Sequence, residues 1–292
     1  MSVPVSGRGA KVSIEPGTLY VVATPLGNLG DISRRALEVL GQVDLVAAED
    51  TRHTAKLLTH FGIATPQLSL HEHNEQERAG QVVSRLRAGT SIALVSDAGT
   101  PLISDPGYRL VREARAAGVK VVPVPGPSAV IAALSVSGLP TDRFAFEGFP
   151  AAKAGARRRQ FDALATEART LVFYESSHRI GASLADMRDA FGPEREAVLA
   201  RELTKTFEQV HAAPLGALVE WLEADANRQR GEFVVMVEGH RAGDESMDEL
   251  EASRVLAILL GELPVKAAAK VAAQLLDRPR NALYDLALRL KK

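Results

Sequence analysis

SIALVSDAGTPLISDPG, residues 91–107, joins an apolar run to a loop that is rich in small residues. The run at 91–95 has the length and the branched side chains of a buried strand. The loop at 96–107 contains two glycines, two prolines and two aspartates, and a helix is predicted after it over 108–117, closed by Gly118. A strand, a loop and a helix in this order form the repeating unit of an α/β domain.

The same unit recurs on both sides of this stretch. Further strands are predicted over residues 18–23, 44–48 and 120–124, and helices over 33–41, 51–61, 75–88 and 128–137. Alternating strands and helices favour a mostly parallel sheet with helices on its faces. The first half of the chain is therefore predicted to be an α/β domain.

The second half differs because two of its predicted strands follow one another without a helix. Its strands are predicted over residues 144–147, 170–174, 197–201, 207–211 and 232–238, and its helices over 154–166, 180–191 and 215–224. This order favours a second α/β domain with a mixed sheet. The Pro- and Gly-rich residues 123–140 would join it to the first domain.

The last part of the chain is predicted to be a small helical module. Residues 243–251 have the composition of a linker, and helices follow over 253–260, 265–276 and 281–290. Residues 264–292 carry a net charge of +5, whereas the whole chain has a net charge of -1. This asymmetry suggests a polyanionic partner. The predicted organisation is a flexible tail at 1–16, α/β domains at 17–137 and 138–240, and a linker with this module at 241–292.

The composition excludes several classes of protein. The chain contains no cysteine, which excludes disulfide scaffolds, thiolate zinc sites, iron–sulfur clusters and cysteine nucleophiles. We expect a cytoplasmic protein without a signal peptide. Residues 121–141 carry no charge, but Pro123, Pro125 and Pro127 interrupt them, so a buried strand, a turn and a helix are expected there instead of a membrane span.

Three loops that follow predicted strands contain the small residues expected near a ligand. They are TPLGN at 24–28, the loop at 96–107 and PGPSA at 125–129. Ligands of an α/β sheet lie at the carboxyl ends of its strands, where small residues let the backbone approach closely. No phosphate-binding lysine loop and no G-x-G-x-x-G pattern is present, which disfavours nucleoside triphosphates and dinucleotides. Each loop alone is also typical of an ordinary βα turn.

Two polar segments allow alternative interpretations. In EDTRH, residues 49–53, an acidic and a basic pair could orient a hydroxyl and its neighbouring phosphate; alternatively, Asp50 or Thr51 caps a helix and Arg52 pairs with a carboxylate. HEH at 71–73 has residue types found in metal sites but no third ligand at helical spacing. We therefore prefer a polar rim there and expect no metal.

Further polar residues lie in the second half. YESSHR at 174–179 could contact a nucleoside or simply contain a helix cap, and no G-x-S-x-G elbow surrounds its serines. Lys153 and the arginines at 157–159 suit either a solvated surface or a phosphate track. Arg201 and Lys205, which flank a predicted strand end, leave the same two alternatives.

Several segments together resemble the tetrapyrrole methylase superfamily. They are GTLYVVATPLGNLGDISRRAL, AAEDTRHTAKLL, SDAGTPLISDPG, PGPSA and FYESSHRI. Within the superfamily they are similar to the branch of 16S ribosomal RNA 2′-O-methyltransferases that modify a cytidine of the decoding centre. The resemblance covers about residues 17–240, and the last three helices resemble the helix-turn-helix-like extension of the same branch.

The resemblance implies two α/β domains of the class III S-adenosylmethionine (SAM) methyltransferase type, with SAM in the cleft between them, commonly as a homodimer. The residues that it places against SAM are Pro25, Asp97, Ala98, Gly99, Ile103, Ser128, Ala129 and, from the second domain, Tyr174. Members that modify tetrapyrroles usually have GxGPG and GGDP in the first two loops. This chain has ATPLGN and DAGTP, which counts against a porphyrinoid substrate.

Methyl transfer to a ribose requires help for a weak nucleophile. A base that takes the hydroxyl proton and a cation that stabilises the developing alkoxide would both accelerate the reaction. Glu49 and Asp50 are candidates for the base, and Arg52 and Lys205 for the cation. The sequence does not rank them.

The leading hypothesis is a SAM-dependent 2′-O-methyltransferase whose partner is 16S rRNA in the 30S subunit. We expect a homodimer that contacts neither a membrane nor DNA. One alternative is a methyltransferase for a small tetrapyrrole-type substrate, and another is a non-enzymatic RNA-binding protein of ribosome assembly. The basic module favours RNA over a small molecule, and the intact loops favour an enzyme over a passive binder.

Overall fold

The computed structural model describes residues 13–72, 74–240 and 245–291. The chain forms two compact units. One contains the chain up to Val136 together with Ala200–Val210, and the other contains Ser137–Leu199 and the chain from His211 onward. Most of the predicted tail lies outside the described residues, but Ile14 packs against the core of the first sheet, so the attached chain begins before the predicted residue 17.

The first half alternates strands and helices as the sequence predicts. Its elements are β1 (Thr18–Val22), α1 (Arg34–Leu40), β2 (Leu45–Ala48), α2 (Thr51–His60), β3 (Gln67–Ser69), α3 (Glu75–Arg87), β4 (Ile92–Val95), α4 (Tyr108–Ala116), β5 (Lys120–Val124) and α5 (Ala129–Ser137). The strands pair in the order β3-β2-β4-β1-β5, and the pairs are parallel. The predicted parallel sheet is confirmed.

Both faces of this sheet are buried. Leu19 and Tyr20 are neighbours in β1 and point to opposite faces, because side chains alternate along a strand. Leu19 belongs to a core cluster with residues of α3 and α4, and Tyr20 to one with residues of α1 and α2. Because helices cover both faces, every residue of a central strand can be apolar. Residues 92–95 are such a run, and all four are buried.

The second half contains a mixed sheet, which confirms the prediction. Its elements are β6 (Phe144–Gly148), α6 (Ala154–Leu164), β7 (Thr170–Ser176), α7 (Ile180–Phe191), β8 (Glu196–Arg201), β9 (Gln209–Pro214), α8 (Leu215–Glu223) and β10 (Glu232–Val237). The strand order is β6-β7-β10-β8-β9, with β6 parallel and β10 antiparallel to β7. In its core, the ring centroid of Phe161 lies 5.5 Å from that of Phe173 and 5.6 Å from that of Phe191.

Three helices follow, namely α9 (Glu245–Glu262), α10 (Val265–Leu276) and α11 (Arg280–Leu290). They have a core of their own that includes Leu256, Ala268 and Leu283. The predicted linker at 243–251 is wrong from residue 245 onward, because this stretch already belongs to α9.

Two strands also differ from the predictions. The three residues of β3 were not predicted, because Gln67 and Ser69 give no strand signal. β9 begins at Gln209 and not at the predicted residue 207, which leaves Phe207 in the preceding loop with 71% of its surface exposed. Within the described part of the chain, no helix is both long enough and apolar enough to cross a membrane.

We expect two leucines of the helical module to differ sharply in their effect on stability. Leu283 is 2% exposed and Leu275 is 67% exposed, although both are leucines on helices of the same module. Leu283→Ala should destabilise the module by about 2–4 kcal/mol because it leaves a cavity, and Leu275→Ala by less than about 0.5 kcal/mol. Hydrogen exchange of α9 to α11 in the full chain measures both; equal effects would contradict the observed packing.

Candidate functional site

The carboxyl ends of four neighbouring strands form one edge of the first sheet. β2, β4, β1 and β5 are adjacent and parallel, so the segments that follow them leave the sheet side by side. These segments are residues 49–50, 96–107, 24–28 and 125–129. The loop after β1, residues 24–28, therefore lies between the loop after β4 and the loop after β5. All three small-residue loops come together at this edge.

Hydrogen bonds join the three loops. Thr24 and Gly99 exchange two backbone hydrogen bonds, with N···O distances of 2.8 and 3.0 Å. The Thr24 hydroxyl donates to the Ser96 carbonyl oxygen at 3.1 Å, and the Thr100 hydroxyl donates to the Pro127 carbonyl oxygen at 2.9 Å. The loop at 96–107 is thus tied to both of the other small-residue loops.

The close approach of the loops depends on glycine. Gly99 has a φ of +80°, and a Cβ there would lie 3.2 Å from Cδ2 of Leu26. In the same loop Leu102 and Ser104 also adopt positive φ, at 75° and 65°. Such conformations persist in non-glycine residues only where the surroundings impose them. The surroundings therefore hold the backbone of the loop at 96–107 in one specific conformation.

Seven of the eight predicted cofactor residues lie at this edge. Pro25 and Gly99 are buried, Asp97, Ser128 and Ala129 are half-buried, and Ala98 and Ile103 are exposed. The eighth, Tyr174, is on β7 in the other unit, where its ring contacts Phe146 and Phe149 edge to face at 4.8 and 5.6 Å. The loops supply a glycine backbone, an exposed branched apolar side chain and a carboxylate, a set that fits a ligand with a planar base and polar groups.

Carboxyl groups cluster beside the loops. The N–H of Asp50 donates to Oδ1 of Asp97 at 3.1 Å, and the N–H of Asp97 donates to Oε2 of Glu49 at 3.4 Å. Burial raises the pKa of the Glu49 carboxyl, while the hydrogen bond from the Asp97 N–H opposes the rise. Glu49 therefore gains proton affinity next to the loops.

Asp105 is a member of this cluster that the sequence reasoning missed. Burial raises the pKa of the Asp105 carboxyl to about 6, and the nearby Glu49 and Asp97 charges add to the rise, while a hydrogen bond with Ser96 lowers it. The available signal was the second aspartate of SDAGTPLISDPG. Proline and glycine follow that aspartate, which made an ordinary turn residue the simpler interpretation.

Asp50 and Arg52 form a local pair. Asp50 is the N-cap of α2 and accepts from the Arg52 N–H at 2.8 Å, and its second oxygen accepts from the Arg52 guanidinium at 2.7 Å. These hydrogen bonds hold the pKa of the Asp50 carboxyl well below its usual range. The helix-cap alternative thus describes what Asp50 does in this structure.

Lys205 lies against the loop after β1. Its side-chain carbons occupy the place where a Cβ of Gly27 would be, with Cγ 2.6 Å from that position. Its ammonium group donates to Glu202 at 2.9 Å. The structure thus places the predicted cation Lys205 beside the first loop, which sequence distance alone could not show.

Several polar residues of the second unit have structural roles. Glu175 is buried and accepts from the Ser183 hydroxyl at 2.5 Å, and Arg179 lies 3.4 Å from it. Arg157 is also buried and pairs with Asp186 at 2.6 Å. Glu175 is therefore not available to a nucleoside, and Arg157 fits neither a solvated surface nor a phosphate track, because both side chains are used inside the fold.

The segment at 71–73 is described only in part, since His73 lies outside the described residues. The N–H of His71 donates to Oδ1 of Asn74 at 2.9 Å, which closes a turn. Among the residues that the structure describes, no group of three His, Asp or Glu side chains is placed to hold a metal ion.

The raised pKa of Asp105 predicts a pH-dependent stability. The folded state binds the Asp105 proton more tightly than the unfolded state does, so its contribution to the free energy of unfolding falls as pH rises from about 4 to about 6. Asp105→Asn should therefore gain about 1–2 kcal/mol relative to wild type between pH 4 and pH 7. Urea unfolding across this range, with the exposed Asp142→Asn as a charge control, measures the difference; a constant difference would contradict the burial of Asp105.

Comparisons with known proteins identify the family of the chain. Residues 18–219 match the family of Tetrapyrrole (Corrin/Porphyrin) Methylases, and residues 246–291 match the RsmI C-terminal HTH domain. The ribosomal RNA small subunit methyltransferase I of Pseudomonas aeruginosa is 60% identical over 93% of this chain and 97% of its own length. The protein of the same name from Escherichia coli O157:H7 is 56% identical over 93% and 95%.

A solved structure shares the fold. Uroporphyrin-III C-methyl transferase from Thermus thermophilus, complexed with S-adenyl homocysteine, superposes with a TM-score of 0.53 at 19% identity, covering 75% of this chain and 96% of that chain. The match to the family spans more than half of the chain, and the relatives span nearly all of it. The chain therefore belongs to the tetrapyrrole methylase family and is a methyltransferase.

Proposed function

We propose that the chain transfers a methyl group from SAM to the ribose 2′-hydroxyl of a decoding-centre cytidine in 16S rRNA. The observation that carries this proposal is the high identity to enzymes named ribosomal RNA small subunit methyltransferase I, which extends over the loops and the helical module alike. The departure of the loops from GxGPG and GGDP supports an acceptor other than a porphyrinoid.

SAM is the methyl donor of this family. The residues that would hold it are Pro25, Asp97, Ala98, Gly99, Ile103, Ser128 and Ala129 at the sheet edge, with Tyr174 from the second unit. When bound, SAM supplies an activated methyl group whose bond to sulfur breaks as the ribose oxygen bonds to the methyl carbon. The protein therefore has mainly to orient the acceptor and exclude water.

The electrostatics of the carboxyl cluster support Glu49 over Asp50 as the base. Asp50 is engaged by Arg52 through both carboxylate oxygens, and its lowered pKa makes it a poor proton acceptor. Glu49 has a raised pKa and lies beside the loop that would hold SAM. In the proposed reaction Glu49 accepts the hydroxyl proton, and Lys205 stabilises the negative charge that develops on the ribose oxygen.

The proposed partner is 16S rRNA within the 30S subunit, bound in the cytoplasm by residues 241–292. Lys266 and Lys270 on α10 and Arg280 on α11 are exposed, and exposed cations on small helices suit contacts to phosphates. We also propose a homodimer. Exposure of Ile131 and Val136 on α5, at 56% and 54%, supports an apolar interface between copies.

The reaction is tested by transfer of labelled methyl groups from SAM to 30S subunits, to naked 16S rRNA and to a tetrapyrrole. Nuclease digestion and mass spectrometry then identify the modified nucleoside. We expect the label in 2′-O-methylcytidine at one site. Label in a methylated base, label in the tetrapyrrole alone, or no transfer to any acceptor would contradict the proposal.

Gly99→Val tests the SAM site. A branched side chain would be strained at a φ of +80° and would press on Leu26, so we expect SAM affinity to fall at least tenfold with the fold retained. Calorimetry measures the affinity, and circular dichroism checks the fold. Gly62→Val, at a positive φ of 68° with open space around it, is the matched control for backbone strain. Wild-type affinity in Gly99→Val would remove this loop from the site.

Glu49→Gln tests the base. We expect kcat to fall by a factor of about 100 or more with little change in SAM affinity, since general-base catalysis contributes typically 10²–10⁴-fold. Asp50→Asn should reduce kcat less. In wild type the rate should rise with pH through the raised pKa of Glu49, because only the ionised carboxylate accepts a proton. If the two variants lost activity equally, the ranking of Glu49 above Asp50 would be wrong.

Salt dependence tests the docking module. The salt slope is the change in the logarithm of the association constant with the logarithm of salt concentration. A variant in which Lys266, Lys270 and Arg280 become Gln should bind 30S subunits with a slope shallower by about 2–3, since each phosphate contact contributes about 0.7–0.9. SAM affinity should not change. Arg34→Gln, at an exposed arginine of the first unit, controls for general loss of charge. An unchanged slope in the triple variant would assign RNA docking to another surface.

A further inference from the structure

The buried carboxyl of Glu75 lies at the start of α4 and has no part in the proposed reaction. Glu75 is the first residue of α3 and is 7% exposed. Its Oε1 accepts three backbone hydrogen bonds, from the N–H groups of Gly107 at 3.2 Å, Arg109 at 2.8 Å and Leu110 at 3.1 Å. One oxygen of α3 thus accepts from the N-cap of α4 and from two residues of its first turn.

α4 cannot provide this cap from its own sequence. Its N-cap is Gly107, which has a φ of +121° and no side chain that could accept a hydrogen bond. A Cβ at this position would lie 2.8 Å from Cδ2 of Leu94, so packing against β4 excludes Ser, Thr, Asp and Asn, the usual caps. The free N–H groups of the first turn need an acceptor, and Glu75 supplies it together with a negative charge that the helix N-terminus favours.

The same contact fixes the end of the loop at 96–107. Near its start this loop is tied to Thr24 through Gly99, and at its end it is tied to Glu75 through Gly107. Leu102 and Ser104, with their positive φ angles, lie between the two anchors, as does Ile103. Because both ends are held, the strained middle of the loop keeps one shape.

The position of Glu75 is itself set by a hydrogen-bonded turn. The N–H of Glu75 donates to the His71 carbonyl oxygen at 2.9 Å, and the Arg78 guanidinium donates to the Ser69 carbonyl oxygen at 2.7 Å. Asn74 closes the turn by accepting from the His71 N–H at 2.9 Å. Hydrogen bonds therefore hold the backbone of Glu75, whose carboxyl reaches α4.

We infer that Glu75 is a positioning residue for the methyl donor: it holds the loop at 96–107 in the shape that binds SAM. The inference rests on the proposed function, since it assumes that this loop is the SAM site. Glu75 touches neither reactant in this account, so its removal should weaken SAM binding without slowing the chemical step on bound substrates. Uniform loss of binding raises KM and leaves kcat unchanged.

Glu75→Gln is the test variant and Glu77→Gln its matched control. Both residues are acidic and lie in the first turn of α3, but Glu77 is exposed, so the control removes the same charge from α3 without touching α4. We expect Glu75→Gln to raise the Kd and KM for SAM about tenfold, to change kcat less than twofold, and to leave affinity for 30S subunits unchanged. Glu77→Gln should behave as wild type.

Thermal unfolding of each variant is measured in parallel, and binding is measured well below the unfolding temperature. A folded Glu75→Gln with wild-type SAM affinity overturns the inference. A tenfold fall in kcat also overturns the inference, because it would mean that the variant damages the reaction centre. If Glu75→Gln does not fold, hydrogen exchange in wild type decides: the amides of Gly107, Arg109 and Leu110 should be strongly protected, and rapid exchange overturns the inference.

The test also separates this inference from the proposed function. If the wild-type chain does not bind SAM, the proposed function fails. If Gly99→Val abolishes SAM binding while Glu75→Gln leaves it intact, the loop is the SAM site and only the role of Glu75 is rejected.

Discussion

Two backbone hydrogen bonds between Thr24 and Gly99 join loops that follow different parallel strands. The strands themselves are held by the sheet, but the loops beyond their ends have no ladder to fix them. Each backbone hydrogen bond contributes only about 0.5–1.5 kcal/mol of stability, so the pair acts mainly by selecting one conformation. Gly99 makes the contact possible, because its positive φ turns the chain back toward Thr24.

The electrostatic character of the edge follows from this packing. Once the loops are drawn together, Glu49 and Asp105 lose water, and the pKa of each carboxyl rises. Asp50 escapes the same effect because Arg52 pairs with it. Similar carboxyl groups within one sheet edge thereby acquire different proton affinities.

Much of the fold could be predicted from the sequence, because apolar runs and helix caps are local signals. β5, α7 and α10 were predicted to the residue, and Ser33, the first residue of the helix predicted over 33–41, caps α1. The misses at individual side chains have a common cause, which is that burial depends on partners far away in the chain. Nothing near Leu275 indicates that it faces solvent, and nothing near Arg157 indicates that Asp186 neutralises it. Glu75 likewise reads as an ordinary first residue of a helix until α4 is packed against it.

We propose that the three loops at one sheet edge act as a single SAM site. Hydrogen exchange of the full chain with and without SAM measures this most directly, because it reports on residues 24–28, 96–107 and 125–129 in one experiment. If the three loops bind SAM together, saturating SAM should slow exchange in all three loops, and most strongly between the two anchors of the loop at 96–107. Protection confined to one loop, or protection elsewhere with these loops unchanged, would contradict this proposal.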